Sequence, residues 1–356
     1  MNRIVAFGEI MCRLATPGFK RFGQSLPGQL EATFAGTEAS AAVSIAYLGG
    51  NAAFVTALPD NPLAQACLSQ LRSFGVDTQH ILQTSRGRLG LFFLEAGANQ
   101  RPANVIYDRE NSSVAITPAS EYDWAAIFEG AEWLLISGIT PAISKNGAEL
   151  TEIAMQQAQA RGVKIACDMN YRSKLWNWEP SLSPRKLATQ TMRKLLPYVT
   201  LFLGGQQDAA EMLAITPDKN SDDSLLDISR QISKQYPNVR HIAMTLRESF
   251  SASHHSLGGM LYVRENDNSY YAPMQNGQYK RYQITNIVDR LGGGDAFTAG
   301  LLFAMGDPQL NDPQTSINFA TAASCLSHSI EGDYNLSTRA EIETLMHGEQ
   351  SGRVNR

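Results

Sequence analysis

The residues best placed to do chemistry lie in "IVDRLGGGDAFTAG", residues 287–300. Three consecutive glycines, Gly292, Gly293 and Gly294, separate a short apolar run from a helix-prone stretch, and an acid, Asp295, follows directly. Glycine opens backbone angles closed to other residues and lets a ligand approach the main chain. The helix that starts here presents free N–H groups and the positive end of its dipole. Together these make a site for an anion such as a phosphate. A carboxylate beside a phosphoryl group can take the proton from an attacking hydroxyl. The alternative is that Asp295 is a helix N-cap behind a tight turn, worth about 1 kcal/mol. Other signatures fit worse. Phe297 stands where GxGxxG needs its third glycine, and GK[ST], HExxH and GxSxG do not occur.

A second set of candidates sits where apolar runs end. "RIVAFGE" (3–9), "AAFVTAL" (52–58), "WLLIS" (133–137), "VKIACD" (163–168), "TLFL" (200–203), "HIAMTL" (241–246) and "YQITNIVD" (282–289) read as strands. Helical stretches at 38–50, 145–161, 184–196 and 223–235 alternate with them. Strands alternating with helices predict an α/β fold with a largely parallel sheet, whose ligands sit outside the carboxyl ends of the strands. Gly8, Glu9, Asp168 and Asp289 fall at such ends, and Asn170 and Arg172 just beyond one. Arg172 is either a solvated surface group or a guanidinium fork for a carboxylate or phosphate.

Two stretches, 10–35 and 88–116, break the alternation and read as strands joined by polar turns. They are expected to meet as a small β-lid over one edge of the core; surface hairpins are the alternative. In "NVIYDREN", strand alternation puts Tyr107 and Arg109 on one face, where they grip a polar acid or pack across strands. The expected organisation is a nucleotide- and substrate-binding core from 1–9, 36–87 and 117–346, the lid, and a frayed tail over 347–356.

The 356 residues are 43% hydrophobic, enough for a large core, and the net charge is −4 with no long basic run. Nucleic acid and membrane are therefore not expected as partners. Four widely spaced cysteines without a CxxC argue for reduced thiols and a cytoplasmic location, and against a zinc site.

With these motifs in place, "DRLGGGDAFTAG" resembles the DTxGAGD signature of the ribokinase (PfkB) family of sugar kinases. Asp289, Gly292, Gly294 and Asp295 match, Gly293 replaces alanine and Arg290 replaces threonine. "FAGTEASAAVSIAYLGG" resembles that family's GGxxxNxA segment. "GEIMCRL", "WLLISGITPAIS" and "CDMNYRSKLW" are similar to its 2-keto-3-deoxygluconate kinase branch. The resemblance implies a ribokinase-like doubly wound fold with a β-lid, and transfer of the γ-phosphate of Mg²⁺-ATP to a sugar acid. It implies Asp295 as general base and the amides of Gly292, Gly293 and Gly294 as anion hole. It also implies a sugar pocket of Gly36, Ser40, Phe92, Tyr107, Arg109, Arg172 and Asp289, with Phe92 and Ser40 replacing tyrosine and asparagine.

Around the nucleotide, the resemblance points to Thr245 and Arg247 in a phosphate loop, and to Ala322 and Asn335 in the wall for adenine. Arg247 either contacts a phosphate or covers that loop, and Ala322 equally suits close helix packing. His254 and His255 are expected in an exposed loop. Asp208 stands for the glutamate of NxxE near magnesium, with Gly205 in place of the asparagine. A monovalent cation near the loop before Gly292 is left open, as is a homodimer through the lid. Three readings compete: a kinase of a 2-keto-3-deoxy sugar acid, a kinase of a neutral ketose such as fructose, and a weakly catalytic sugar- or nucleotide-binding regulator.

Overall fold

A computed structural model describes residues 3–218, 221, 223–275 and 277–348. Residues 349–356 of the expected tail lie outside them. The apolar runs form a nine-stranded sheet. Its first strand, β1 (Arg3–Phe7), leads into β2 (Met11–Ala15) and β3 (Glu31–Ala35), which leave it for a separate small sheet. Helix α1 (Thr37–Tyr47) follows and stops before Gly49, whose φ of 86° is the left-handed conformation that ends helices. The chain returns through β4 (Ala52–Val55), departs again for β5 (Gly90–Glu95) and β6 (Asn104–Asp108), then re-enters at β7 (Ala131–Ser137). Next come α2 (Lys145–Ala160), β8 (Lys164–Asp168), α3 (Pro184–Leu195), β9 (Leu201–Leu203), α4 (Ser224–Gln235) and β10 (His241–Ser251). The last part is β11 (His254–Val263), β12 (Asn268–Ala272), β13 (Tyr282–Ile284), α5 (Gly293–Met305), α6 (Pro313–Ser327) and α7 (Arg339–Met346).

The large sheet runs β12-β11-β10-β9-β8-β7-β1-β4, with β13 also on β11. From β4 to β10 every pairing is parallel; β11, β12 and β13 join antiparallel. Parallel strands are buried on both faces, which is why these runs are continuously apolar rather than alternating. On one face Leu150, Met155, Leu187 and Ile232 from α2, α3 and α4 pack down. On the other, Val43 and Ile45 of α1 meet Leu301 of α5 and Ile317 of α6. This is the doubly wound, ribokinase-like architecture anticipated above.

The two non-alternating stretches meet in one four-stranded sheet, ordered β3-β2-β5-β6. Three expectations need correction. The run 52–58 is not one strand: the chain leaves the large sheet after Val55, and Ala57–Pro59 pairs with Leu82–Thr84. The run 282–289 pairs only as far as Ile284, opposite His255, because its partner β11 begins at His254; further on, the Asp289 carboxylate accepts the N–H groups of Arg290 and Leu291 and turns the chain. His254 and His255 are not in an exposed loop. They open β11, where His255 faces Ser249 across a long hairpin and is fully buried.

Candidate active site

The glycine turn lies between the Asp289 turn and α5. Gly292 has φ 78°, and a Cβ there would overlap the carbonyl oxygen of Asp333, so both angle and space require glycine. At Gly293 a Cβ would stand 2.8 Å from Cε1 of His328. At Gly294 it would meet nothing within 4 Å, since that residue faces an open cleft. The N-cap of α5 is Gly292, and no side chain caps the helix. Asp295 therefore sits inside the first turn, and its carboxylate makes no hydrogen bond among the described residues. The N-cap reading of Asp295 does not hold.

The cleft spans about 760 Å³ at the carboxyl ends of the parallel strands, a size suited to small-molecule ligands. The glycine turn and Asp295 line it, with Arg172, Thr245, Arg247 and Asp208 on the core side and Gly36, Phe92, Tyr107 and Arg109 towards the small sheet. Four sequence candidates lie elsewhere. Ser40 is buried in α1 with an unpartnered hydroxyl. Asp289 is engaged by Arg13. Ala322 packs in a cluster with Phe303 and Phe319. Asn335 is buried; it donates to the Ala323 carbonyl and accepts from the Ser337 N–H. Gly36 lines the cleft, but the reason for glycine there is the Glu9 carbonyl, which a Cβ would overlap.

The acids of the site are crowded. Burial, then Asp168, Asp333 and Glu38, hold the Asp295 carboxyl well above the ordinary range, with Arg172 pulling the other way. Asp168 is pushed up to about 7 by burial and by Asp208. Glu38, which sequence reading missed, is pushed to about 7 mainly by burial. Ser137 opposes this from nearby, although neither Glu38 oxygen has a hydrogen bond of good geometry. A Cβ on Gly8 would overlap that carboxylate, so the strand-end glycine makes its room. Such environments raise proton affinity, the property a general base needs.

The cations divide into two kinds. Arg109 forms a buried pair with Glu9, and its guanidinium carbon lies 5.4 Å from the Tyr107 ring centroid. Arg172, Arg247 and Arg290 form no carboxylate ion pair among the described residues; Arg172 only donates to the Tyr171 carbonyl at 3.1 Å. Burial, then Arg290 and Arg172, lower the Arg247 pKa, the mark of like charges gathered without an anion. Arg290 entered sequence reading only as a departure from a motif.

Asp208 differs from Asp295. Its Oδ1 accepts the Tyr171 N–H at 3.1 Å and its Oδ2 the Gly205 N–H at 2.8 Å. Gly205 has no side chain to add, and among the described residues no group of three or more His, Cys, Asp or Glu could hold a metal ion. The residues present do not make a direct magnesium site.

A parallel sheet with a glycine-lined anion pocket and a free acid at its strand ends can be compared with known proteins. The profile of the pfkB family carbohydrate kinases matches residues 1–339. The chain belongs to this family. This carbohydrate kinase is 30% identical to the 2-dehydro-3-deoxygalactonokinase of Haloferax volcanii over 98% of both chains. It is similar to the solved 2-dehydro-3-deoxygluconokinase of Thermotoga maritima, with TM-score 0.88 and 36% identity over 98% of this chain and 100% of that one. It is also 25% identical to fructokinase-1 of Zea mays, over 96% of this chain and 97% of that one. Among the described residues no helix of the kinase is long and apolar enough to cross a membrane.

Proposed function

We propose that this kinase transfers the γ-phosphoryl group of ATP to a hydroxyl of a 2-keto-3-deoxy sugar acid. The observation that carries the reading is the unbonded Asp295 carboxylate beside an open turn of main-chain amides. In this reading Asp295 accepts the proton of the attacking hydroxyl. The N–H groups of Gly292, Gly293 and Gly294 receive the charge that develops on the moving phosphoryl group. Arg172 takes the acid group of the sugar, beside Tyr107 and Phe92. Thr245 and Arg247 face the nucleotide phosphates. Asp208 would be the residue to hold a magnesium ion brought in with ATP, through water rather than directly, and the ion would supply neutralising charge at the phosphates. The small sheet acts as a lid that excludes water. Two kinases of 2-dehydro-3-deoxy sugar acids at 30% and 36% identity support the acid substrate.

A neutral ketose is the second reading, and one observation favours it: Arg109 is already paired with Glu9, which leaves Arg172 to meet an acid group without it. ADP release with 2-keto-3-deoxygluconate, 2-keto-3-deoxygalactonate, fructose and no sugar separates the two. Turnover with the acids and little with fructose is expected; the reverse order would overturn the acid reading. The enzyme is further proposed to be cytoplasmic and to dimerise through the small sheet, whose outer strand β6 exposes Ile106. A monomer by sedimentation would remove that assembly.

A further inference from the structure

The motif "GEIMCRL" carries an arginine that the proposed chemistry does not use. Arg13 lies on β2 of the small sheet, with its side chain 7% exposed, and it does not line the cleft. Its Nη2 is 2.5 Å from Oδ2 of Asp289, and its Nη1 is 2.6 Å from Oδ2 of Asp333. We infer that Arg13 is a positioning residue for phosphoryl transfer: it bridges the two carboxylates that flank the glycine turn and thereby sets where the amides of 292–294 stand.

Each aspartate controls one wall of the turn. Asp289 Oδ1 accepts the N–H groups of Arg290 and Leu291 at 2.7 and 3.1 Å, which fixes the approach to Gly292. Its Oδ2 also accepts the Gly332 N–H at 3.2 Å, which ties that approach to the segment after α6. Asp333 presses on the other wall, since its carbonyl oxygen fills the place of a Gly292 side chain. Two buried carboxylates facing each other repel, and removing the cation between them leaves charge uncompensated. A guanidinium fork reaches both, whereas an ammonium group is a single point charge. Because Arg13 comes from the small sheet, the sheet and the anion hole are set by one side chain. The same motif supplies Glu9, which holds Arg109, so the sheet is strapped to the core at two points.

The inference rests on the phosphotransfer reading, so two measurements are needed: ATP affinity by calorimetry without sugar, and turnover by ADP release. In Arg13→Ala, turnover is expected to fall about 10²-fold, as displaced positioning groups cost. The KM for the sugar should stay within about threefold, because the displaced amides face the phosphoryl group and not the sugar. ATP binding should weaken, and added guanidinium should restore part of both losses while leaving the wild type unchanged. Arg13→Lys should lose turnover without guanidinium rescue, since the lysine fills the space but cannot bridge. Wild-type turnover in either variant overturns the inference. So does a lower melting temperature with full ATP affinity, or a loss in Arg13→Ala that guanidinium does not relieve; each would make Arg13 structural glue. If Arg13→Ala does not fold, Arg13→Lys decides alone. A wild type that phosphorylates no sugar defeats the proposed function, while the ATP affinities of the variants still judge Arg13.

Discussion

Two segments of this kinase read almost alike. "LGGGD" at 291–295 and "LGGQQD" at 203–208 both begin with leucine and paired glycines, end in an aspartate and open a helix at the carboxyl edge of the large sheet. Their chemistry differs because their main chain does. In the second, a short α-helical turn, Gln206–Asp208, passes directly into a π-helical one, Ala209–Leu213, and Asp208 is occupied by the N–H groups of Gly205 and Tyr171. In the first, a 13-residue helix begins on a glycine cap, and Asp295 is left to the cleft. An aspartate near a helix start is a cap or a reagent according to whether a backbone N–H reaches it first.

The largest test of that contrast is the paired substitution of both acids. Asp295→Asn should lower turnover by about 10²–10⁴-fold, the usual worth of a general base. It should leave ATP affinity nearly intact. Asp208→Asn should cost about 1 kcal/mol in denaturant unfolding, through two weakened charge-assisted hydrogen bonds, with a much smaller effect on turnover. Equal losses of turnover would erase the distinction between the two turns.

The glycines sharpen the same contrast at smaller scale. Gly294→Ala points a methyl into open space, so folding should be unharmed, and an alanine in a helix is favoured by up to about 1 kcal/mol. Turnover should still fall about tenfold or more, because that space is where the phosphoryl group must come close to the amides. At Gly204 the added Cβ would stand 2.8 Å from Cγ of Met169, so Gly204→Ala should destabilise by about 1–3 kcal/mol, read as a shifted urea midpoint. A Gly294→Ala enzyme with full activity would mean that the open turn is not the anion site.

How much of this was legible beforehand depends on what kind of signal each element carries. The parallel core was legible because doubly buried strands are uninterrupted apolar runs. The small sheet was legible because two stretches lacked a helical period. The glycine turn announced itself by composition. Hidden were features that depend on partners distant in sequence. Nothing in "GEIMCRL" reveals that Arg13 crosses to Asp289 and Asp333, 276 and 320 positions away. Glu38 lies inside a segment of small residues, and only the fold surrounds it with Asp168 and Asp295. Ala322 was ambiguous because a helix of small residues suits either a flat ligand or another helix, and here it packs with Phe303 and Phe319; Asn335 lies in the segment after α6, where its amide is spent on the Ala323 carbonyl and the Ser337 N–H.

The most gradual expected effect concerns pH, and it tests whether the crowded acids belong to the Asp295 side of the contrast. Glu38 and Asp168 have folded-state pKa values raised to about 7, mainly by burial. A carboxyl whose pKa is higher in the folded than in the unfolded chain favours folding while it is protonated. That contribution is complete below the unfolded value near 4 and is lost as pH rises through about 7. Unfolding free energy should therefore fall between pH 5 and 8 by roughly 1–3 kcal/mol for each such group. Glu38→Gln should flatten that slope, because the amide cannot be deprotonated, whereas Asp208→Asn should flatten it less, by relieving only part of the rise at Asp168. Urea unfolding at several pH values measures both. A slope unchanged in Glu38→Gln would show that this carboxyl keeps an ordinary proton affinity in the folded protein, against the burial argued for it.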